Sequence, residues 1–202
     1  MAEVIVVHGY PGSGRTTQCK RVARDGFDGR PVRHVSVGDR LRAIQSREVV
    51  SDFSPYILTS PTPSHLPDDI VNSVVFEALG TPEADELLLI DGYPRYTHAV
   101  DIFRASLKAR NHTFLGTVAL EISLNTSLDR VLSRTHRIGD AADDAIRESE
   151  TIFQYNRHFQ TTRFALLGLS ALAAVEVIDA ASDEDTVHNH FTNALGRLVH
   201  HT

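Results

Sequence analysis

A chain of 202 residues with 42% apolar and 23% charged residues has the profile of one ordinary folded domain with a full core, neither disordered nor fibrous. A net charge of -6 and a pI near 6.0 leave no broad basic surface, so a nucleic-acid partner gripped through its phosphates is not expected. The single cysteine, Cys19, excludes an intrachain disulfide and a cysteine-rich zinc site.

The sequence runs from Met-Ala-Glu directly into Val4-Ile5-Val6-Val7, without the basic start and long apolar stretch of a secretory signal, and a cytoplasmic protein is the expectation. Val4 to His8 is short, β-branched and bounded by glycine, which predicts a strand buried on both faces. Comparable runs recur at Arg33 to Ser36, Leu87 to Asp91, Thr117 to Ile122 and Val175 to Ile178, and the segments between them have helical spacing. Thr97 to Arg110 places Val100, Phe103 and Leu107 on one face, and Ser127 to Arg134 does so with Leu128, Val131 and Leu132; both read as amphipathic covering helices. Ala165 to Val175 is about half the length of a membrane span and carries Ser170, so it reads as a buried helix end, with no membrane partner. The alternation predicts an α/β fold, a three-layer α/β/α sandwich on a five-stranded parallel sheet, with ligands beyond the carboxyl ends of the strands. Ser51 to Pro67, rich in proline, and Thr135 to Asp144, short and polar, break this rhythm and are expected to be insertions over the site.

Directly after the first strand stands Gly9-Tyr10-Pro11-Gly12-Ser13-Gly14-Arg15-Thr16. Glycines at this spacing, between a strand and a helix, let successive backbone N-H groups point inward while the helix adds its positive end, the geometry of a phosphate-binding loop. Gly12, Ser13, Gly14, Arg15, Thr16 and Thr17 are the candidate triphosphate-binding residues. The loop pattern has lysine where Arg15 stands. Arginine keeps the charge, but its planar fork is bulkier, so positioning of a transition state is more exposed to the change than binding is. Thr16 and Thr17 are placed either to reach a metal or phosphate or to cap the helix.

Leu87-Leu88-Leu89-Ile90-Asp91-Gly92-Tyr93-Pro94-Arg95 puts a carboxylate at a strand end and an arginine four residues later. Together with the glycine loop, His34-Val35-Ser36-Val37-Gly38-Asp39-Arg40-Leu41-Arg42, Pro67-Asp68, Leu128-Asp129-Arg130-Val131-Leu132-Ser133-Arg134 and Val177-Ile178-Asp179-Ala180, it resembles the adenylate kinase and wider nucleoside monophosphate kinase family over nearly the whole chain. The resemblance implies one kinase-like domain over 1–202. Its core would be 1–36, 69–134 and 145–202, with an acceptor-binding insertion at about 37–68 and a short lid at about 135–144. It implies Mg2+ and ATP as phosphoryl donor, a nucleoside monophosphate as acceptor, and a monomer. By motif position, Ser36, Arg42, Gly92 and Arg95 would take the acceptor, with His98 the nearest polar residue to the place of the family's base-reading glutamine. Asp91 would hold Mg2+ through water, with Thr16 nearby. Arg130 would lie against the donor base and phosphates, and Arg15, Arg95, Arg134 and Arg137 would surround the transferring phosphoryl. Arg42 as a solvated helix residue and Asp91 as a helix cap are the structural alternatives.

The chain departs from the family pattern at Arg15, at Thr16 in place of glycine, at Val37 in place of threonine, and at Ser149, where the pattern carries a second arginine and Arg147 is a displaced substitute. AMP is the default acceptor, but the missing glutamine leaves the base open. Two other readings compete with a working kinase: a catalytically weakened or inactive nucleotide-binding protein of the same fold, and a kinase of a small non-nucleotide metabolite. Tyr10, Tyr93 and Tyr96 border the motifs as stacking or packing residues. His188, His190, His200 and His201 near the end read as solvated helix histidines.

Overall fold

The computed structural model describes residues 2–60, 66–136 and 144–200. Five strands, β1 (Glu3–Gly9), β2 (Val32–Ser36), β3 (Leu87–Asp91), β4 (Thr113–Glu121) and β5 (Ala174–Asp179), form one sheet in the order β2-β3-β1-β4-β5. Every pairing is parallel. The strand runs of the sequence lie within these bounds except at Ile122, which falls one residue past the end of β4; β4 also starts earlier, at the polar Thr113, and a register shift opposite Val4 and Ile5 admits an extra residue.

The helices are α1 (Arg15–Asp25), α2 (Val37–Gln45), α3 (Ser54–Thr59), α4 (Asp68–Leu79), α5 (Thr97–Ala109), α6 (Leu124–His136), α7 (Asp144–Arg157), α8 (Arg163–Ser170) and α9 (Glu184–His200). A π-helical turn, His158–Thr162, joins α7 to α8. Period-two alternation divides β1 between two cores: Val4 and Val6 face Val74, Phe103 and Leu169 of α4, α5 and α8, and Ile5 and Val7 face Cys19, Val22, Phe191 and Leu195 of α1 and α9. Phe103 and Phe191 are fully buried, each stabilising the sandwich by about 1.5–3 kcal/mol relative to exposure.

The chain moves from β1 to one side of the sheet for β2, returns to β3, then crosses to the other side for β4. The loop after β1 therefore lies at the point where strand order reverses, the place where open α/β sheets take ligands. Within 51–67, α3 packs through the buried Ile57. The apolar stretch from Ala165 is split: α8 ends at Ser170, and the chain then turns into β5. Only part of it is buried, since Ala165 and Leu169 face the core while Leu167 is exposed. Most of the lid expected at 135–144 lies outside the described residues. Among the described residues, no helix is long and apolar enough to cross a membrane.

Candidate active site

The loop that follows β1 is tied back on itself by Ser13 N-H donating to the Tyr10 carbonyl at 3.0 Å. Gly12 and Gly14 have φ of 74° and 81°, a left-handed backbone that other residues adopt at a cost. Gly14 occupies the N-cap of α1, so the first free N-H groups of that helix open onto the loop. Ser13 is buried and its hydroxyl has no protein partner among the described residues. Thr17 is exposed on α1.

Asp91, at the carboxyl end of β3, is the hub. Thr16 Oγ1 donates to Asp91 Oδ2 at 2.7 Å, so Thr16 does not cap its helix. Arg15 is ion-paired with the same carboxylate, and its Nη1 donates to the Gly9 carbonyl at 3.0 Å. His34 Nε2 lies 3.3 Å from Asp91 Oδ2, a consequence of the β2–β3 pairing that sets Ser36 beside Asp91. Burial pushes the Asp91 carboxyl up, but the Arg15 charge and the hydrogen bonds from His34 and Thr16 outweigh it and hold it at about 2. The carboxylate is thus ionised, and its partners are side chains of the site rather than the N-terminus of a helix.

Arg95 Nε donates to the Gly92 carbonyl at 2.8 Å. Its side chain is open to the cleft, yet protein crowds it on most sides. That burial, with the charges of Arg15 and Arg157, lowers it to about 10, so it stays a cation at neutral pH. Two histidines border these arginines. His8, next to last in β1, is fully buried, with no hydrogen-bond partner at Nε2 among the described residues. Burial first, then His158, Arg15 and Arg95, hold it well below the usual imidazole value. His158 is lowered to about 3 by burial, Arg15 and Arg95. Its ring lies 4.4 Å from that of Tyr10, which stacks on Tyr155 at 4.3 Å. The cleft therefore keeps His8 and His158 neutral and Arg95 charged, an arrangement suited to a polyanion.

Other predicted residues stand apart from this hub. Arg130 Nη1 donates to the carbonyls of Ala180 at 2.7 Å and Gly12 at 3.3 Å. Its Nη2 donates to those of Ala181 and Ser182, each at 2.8 Å. The guanidinium thus pins the segment after β5 to the glycine loop. Ser36 caps α2 by accepting from Asp39 N-H at 3.3 Å. Arg42 is exposed and pairs with Asp39 on its own helix. His98 pairs with Asp68 and is mostly exposed, its ring 5.8 Å from Tyr96. Tyr93 is buried packing against Phe103. His188 Nδ1 lies 2.7 Å from Gln18 Oε1, and His200 lies 3.6 Å from Asp28. The Arg134 and Arg147 side chains and all of Arg137 lie outside the described residues.

Sequence reasoning passed over His8, His34, Arg157 and His158. A signal for His8 was available: an ionisable residue closing an otherwise apolar strand, immediately before the glycine loop. Nothing in local spacing points to Arg157, because it reaches the site only through the course of α7.

The AAA domain family matches residues 8–150. The chain is 32% identical over 145 residues to a protein named adenylate kinase from Helicobacter hepaticus, covering 69% of this chain and 72% of that protein. It is 31% identical over 161 residues to one of the same name from Campylobacter jejuni, covering 78% and 76%. With one from Rhodopirellula baltica the identity is 28% over 194 residues, or 95% and 94% of the two chains. On this similarity, and on the glycine loop and Asp91 motif that the sheet brings together, the chain belongs to the adenylate kinase and nucleoside monophosphate kinase family.

Proposed function

We propose that the chain is a nucleoside monophosphate kinase, moving the γ-phosphoryl of Mg-ATP to a nucleoside monophosphate, with AMP the first acceptor to test. The observation that carries this reading is the meeting of Arg15, Thr16, Asp91 and Arg95 at the carboxyl ends of β1 and β3. A cytoplasmic, monomeric protein belongs to the same reading.

In this reaction an acceptor phosphate oxygen attacks the γ-phosphorus and ADP leaves, with no covalent enzyme intermediate. The protein's work is in-line positioning and charge. Backbone N-H groups at Gly12 and Gly14 hold the donor phosphates, with Ser13 closing the loop between them through its N-H to the Tyr10 carbonyl and with Arg15 and the exposed Thr17 at the helix start. Arg95 and Gly92 take the acceptor phosphate; Ser36, Arg42 and His98 line the acceptor side. Arg130 shapes the donor-base side by fixing the segment 180–182, and Arg134 and Arg137 close from the lid. Mg2+ fits the residues present: an ionised carboxylate at Asp91 and the Thr16 hydroxyl beside it are oxygen donors of the kind it takes, directly or through water. When bound, it neutralises charge on the β- and γ-phosphate oxygens.

One observation favours a second reading. Arg15 is paired with Asp91, so the loop's cation is committed to the carboxylate assigned to the metal, as in a protein that binds nucleotide and transfers slowly or not at all. A coupled assay with ATP and a panel of AMP, CMP, UMP, GMP and their deoxy forms separates the two. Turnover with one or more acceptors supports the kinase; tight ATP binding with no turnover on any of them supports the second reading.

A further inference from the structure

At the amino ends of the strands, away from the glycine loop, the end of α5 and the approaches to β4 and β5 border a cavity of about 390 Å³, within the range of small-molecule sites. Helix α5 begins two residues after Arg95 and is about 18 Å long, so the cavity and the phosphate cleft lie at its opposite ends. Leu107 is buried, and Phe114 and Leu172 are partly buried against the core; these three supply the apolar lining. The polar lining is Arg104 and Lys108 of α5, with Asn111 and His112 of the turn that follows. No acidic side chain joins them among the described residues, and none occurs between Asp101 and Glu121 in a chain of net charge -6.

The cations at this end are of two kinds. Arg110 is committed: its Cζ stands 4.5 Å from the Phe76 ring centroid, and its Nη1 donates to the Ser106 carbonyl at 3.4 Å. Arg104 and Lys108 are exposed, and their side chains have no hydrogen bond or ion pair among the described residues. One turn apart on α5, they share a face, with about 5–6 Å between their Cβ atoms. The His112 ring lies parallel to that of Phe76, with 6.5 Å between centroids and 8° between planes. Its Nδ1 is buried with no partner among the described residues, which is costly until something hydrogen-bonds to it. Burial, ahead of nearby positive charge, lowers the imidazole, so at neutral pH it is an uncharged polar group. Unpaired cations beside an apolar wall are complementary to an anion that carries an apolar body. A bare inorganic anion leaves the wall uncovered, and a neutral ring leaves the cations unpaired. The alternative is a solvated pair, with Lys108 offsetting the α5 dipole from its last turn.

We propose that this cavity is a second binding site, for a small organic anion with an apolar body, of the aromatic carboxylate type, its charge held by Arg104 and Lys108 and its body laid against Leu107, Phe114 and Leu172. The inference stands apart from the kinase reading, since no residue of the phosphate cleft takes part in it. Isothermal titration calorimetry with cinnamate tests it, beside acetate, which has the charge without the ring, and cinnamyl alcohol, which has the ring without the charge. The wild-type protein binds one equivalent of cinnamate, and the other two bind at least about tenfold more weakly. Arg104→Gln and Lys108→Gln each weaken cinnamate binding by about threefold, the scale of an exposed charge pair. The double variant Arg104→Glu with Lys108→Glu changes only exposed side chains, keeps its circular dichroism spectrum and loses measurable binding. Arg95→Gln, in the phosphate cleft, binds as the wild type does. The proposal is overturned by an absence of saturable cinnamate binding, by binding that survives the double charge reversal or that Arg95→Gln removes, and by equally tight binding of the alcohol or of acetate. Polyglutamate is titrated in parallel. If it binds where cinnamate does not, the cations are a docking patch for an acidic protein chain, and the proposal is again overturned.

Discussion

Arg15, in the first turn of α1, is ion-paired with Asp91 at the end of β3, so the residue in the lysine position of the glycine loop is tied to the carboxylate beside Thr16. A guanidinium holds a carboxylate as a fork, whereas an ammonium is a compact charge that re-orients freely. Arg15→Lys is therefore expected to raise the phosphotransfer rate by about tenfold or more while changing ATP affinity by less than about threefold. Steady-state kinetics with equilibrium binding measures both. Equal or lower activity in the variant means that arginine is the adapted residue of this loop.

Asp91 gathers Arg15, Thr16 and His34 and is fully buried. Removing its charge leaves Arg15 beside Arg95 with no counter-ion among the described residues, and breaking one side of a buried pair costs about 3–5 kcal/mol. Asp91→Asn should lower the urea midpoint with little change in m, and should remove turnover. A variant with wild-type stability shows that the pair contributes nothing net to folding.

Acid sensitivity follows from the same cluster. His8 and His158 have folded values below the unfolded imidazole value of about 6.5, with His158 at about 3. The unfolded chain then binds more protons, so stability is complete above about pH 6.5 and falls as the pH drops toward 3, by at most about 1.4 kcal/mol per pH unit for each histidine. Asp91, at about 2, is also depressed; its contribution is present above an unfolded value of about 3.9 and is lost as pH falls through 2. Melting temperatures of wild type and His158→Gln from pH 7.5 to 4 test this. The variant should show the shallower decline, and parallel curves would remove His158 from the account.

The strands and the glycine loop were legible because their signals are local. Val4 to Val7 carry no polar interruption, and Leu87 to Asp91 form an apolar run ending in a carboxylate, so a buried parallel strand is the economical reading of each. Thr16 was open between capping and ligand binding, and only the approach of β3 to β1 puts Asp91 within its reach. Arg130 read as an arginine lying against the donor base and phosphates; its donation to backbone carbonyls after β5 is a contact between segments about fifty positions apart that spacing cannot reveal. Arg157 and His158 escaped for a similar reason, since a π turn leaves no clear mark in hydrophobic periodicity.

The left-handed backbone at Gly14 provides a test of the loop itself. A Cβ there would meet nothing within 4 Å, so the cost of Gly14→Ala comes from φ alone, about 1–2 kcal/mol, or an equivalent relaxation of the loop. ATP binding should weaken while the melting temperature falls only slightly. Undiminished ATP affinity would mean that the loop conformation at this residue is not what holds the phosphates.

Arg130→Ala should act through stability instead. Four hydrogen bonds from a charged donor to carbonyls are lost, each worth about 1.5–3 kcal/mol when fully made, less where solvent reaches them. Hydrogen exchange should quicken at 180–182, with or without nucleotide. Unchanged exchange there would show that the segment holds itself in place.

The central claim is transfer of a phosphoryl group between nucleotides, as distinct from binding or hydrolysis of ATP. Phosphorus NMR of the wild-type protein with Mg-ATP and each monophosphate in turn reads it directly. The account predicts that, with at least one acceptor, its monophosphate signal falls as ADP and the acceptor's diphosphate appear in equal amounts. ATP that stays intact with every acceptor, or decays to ADP and free phosphate while each monophosphate remains, would contradict it.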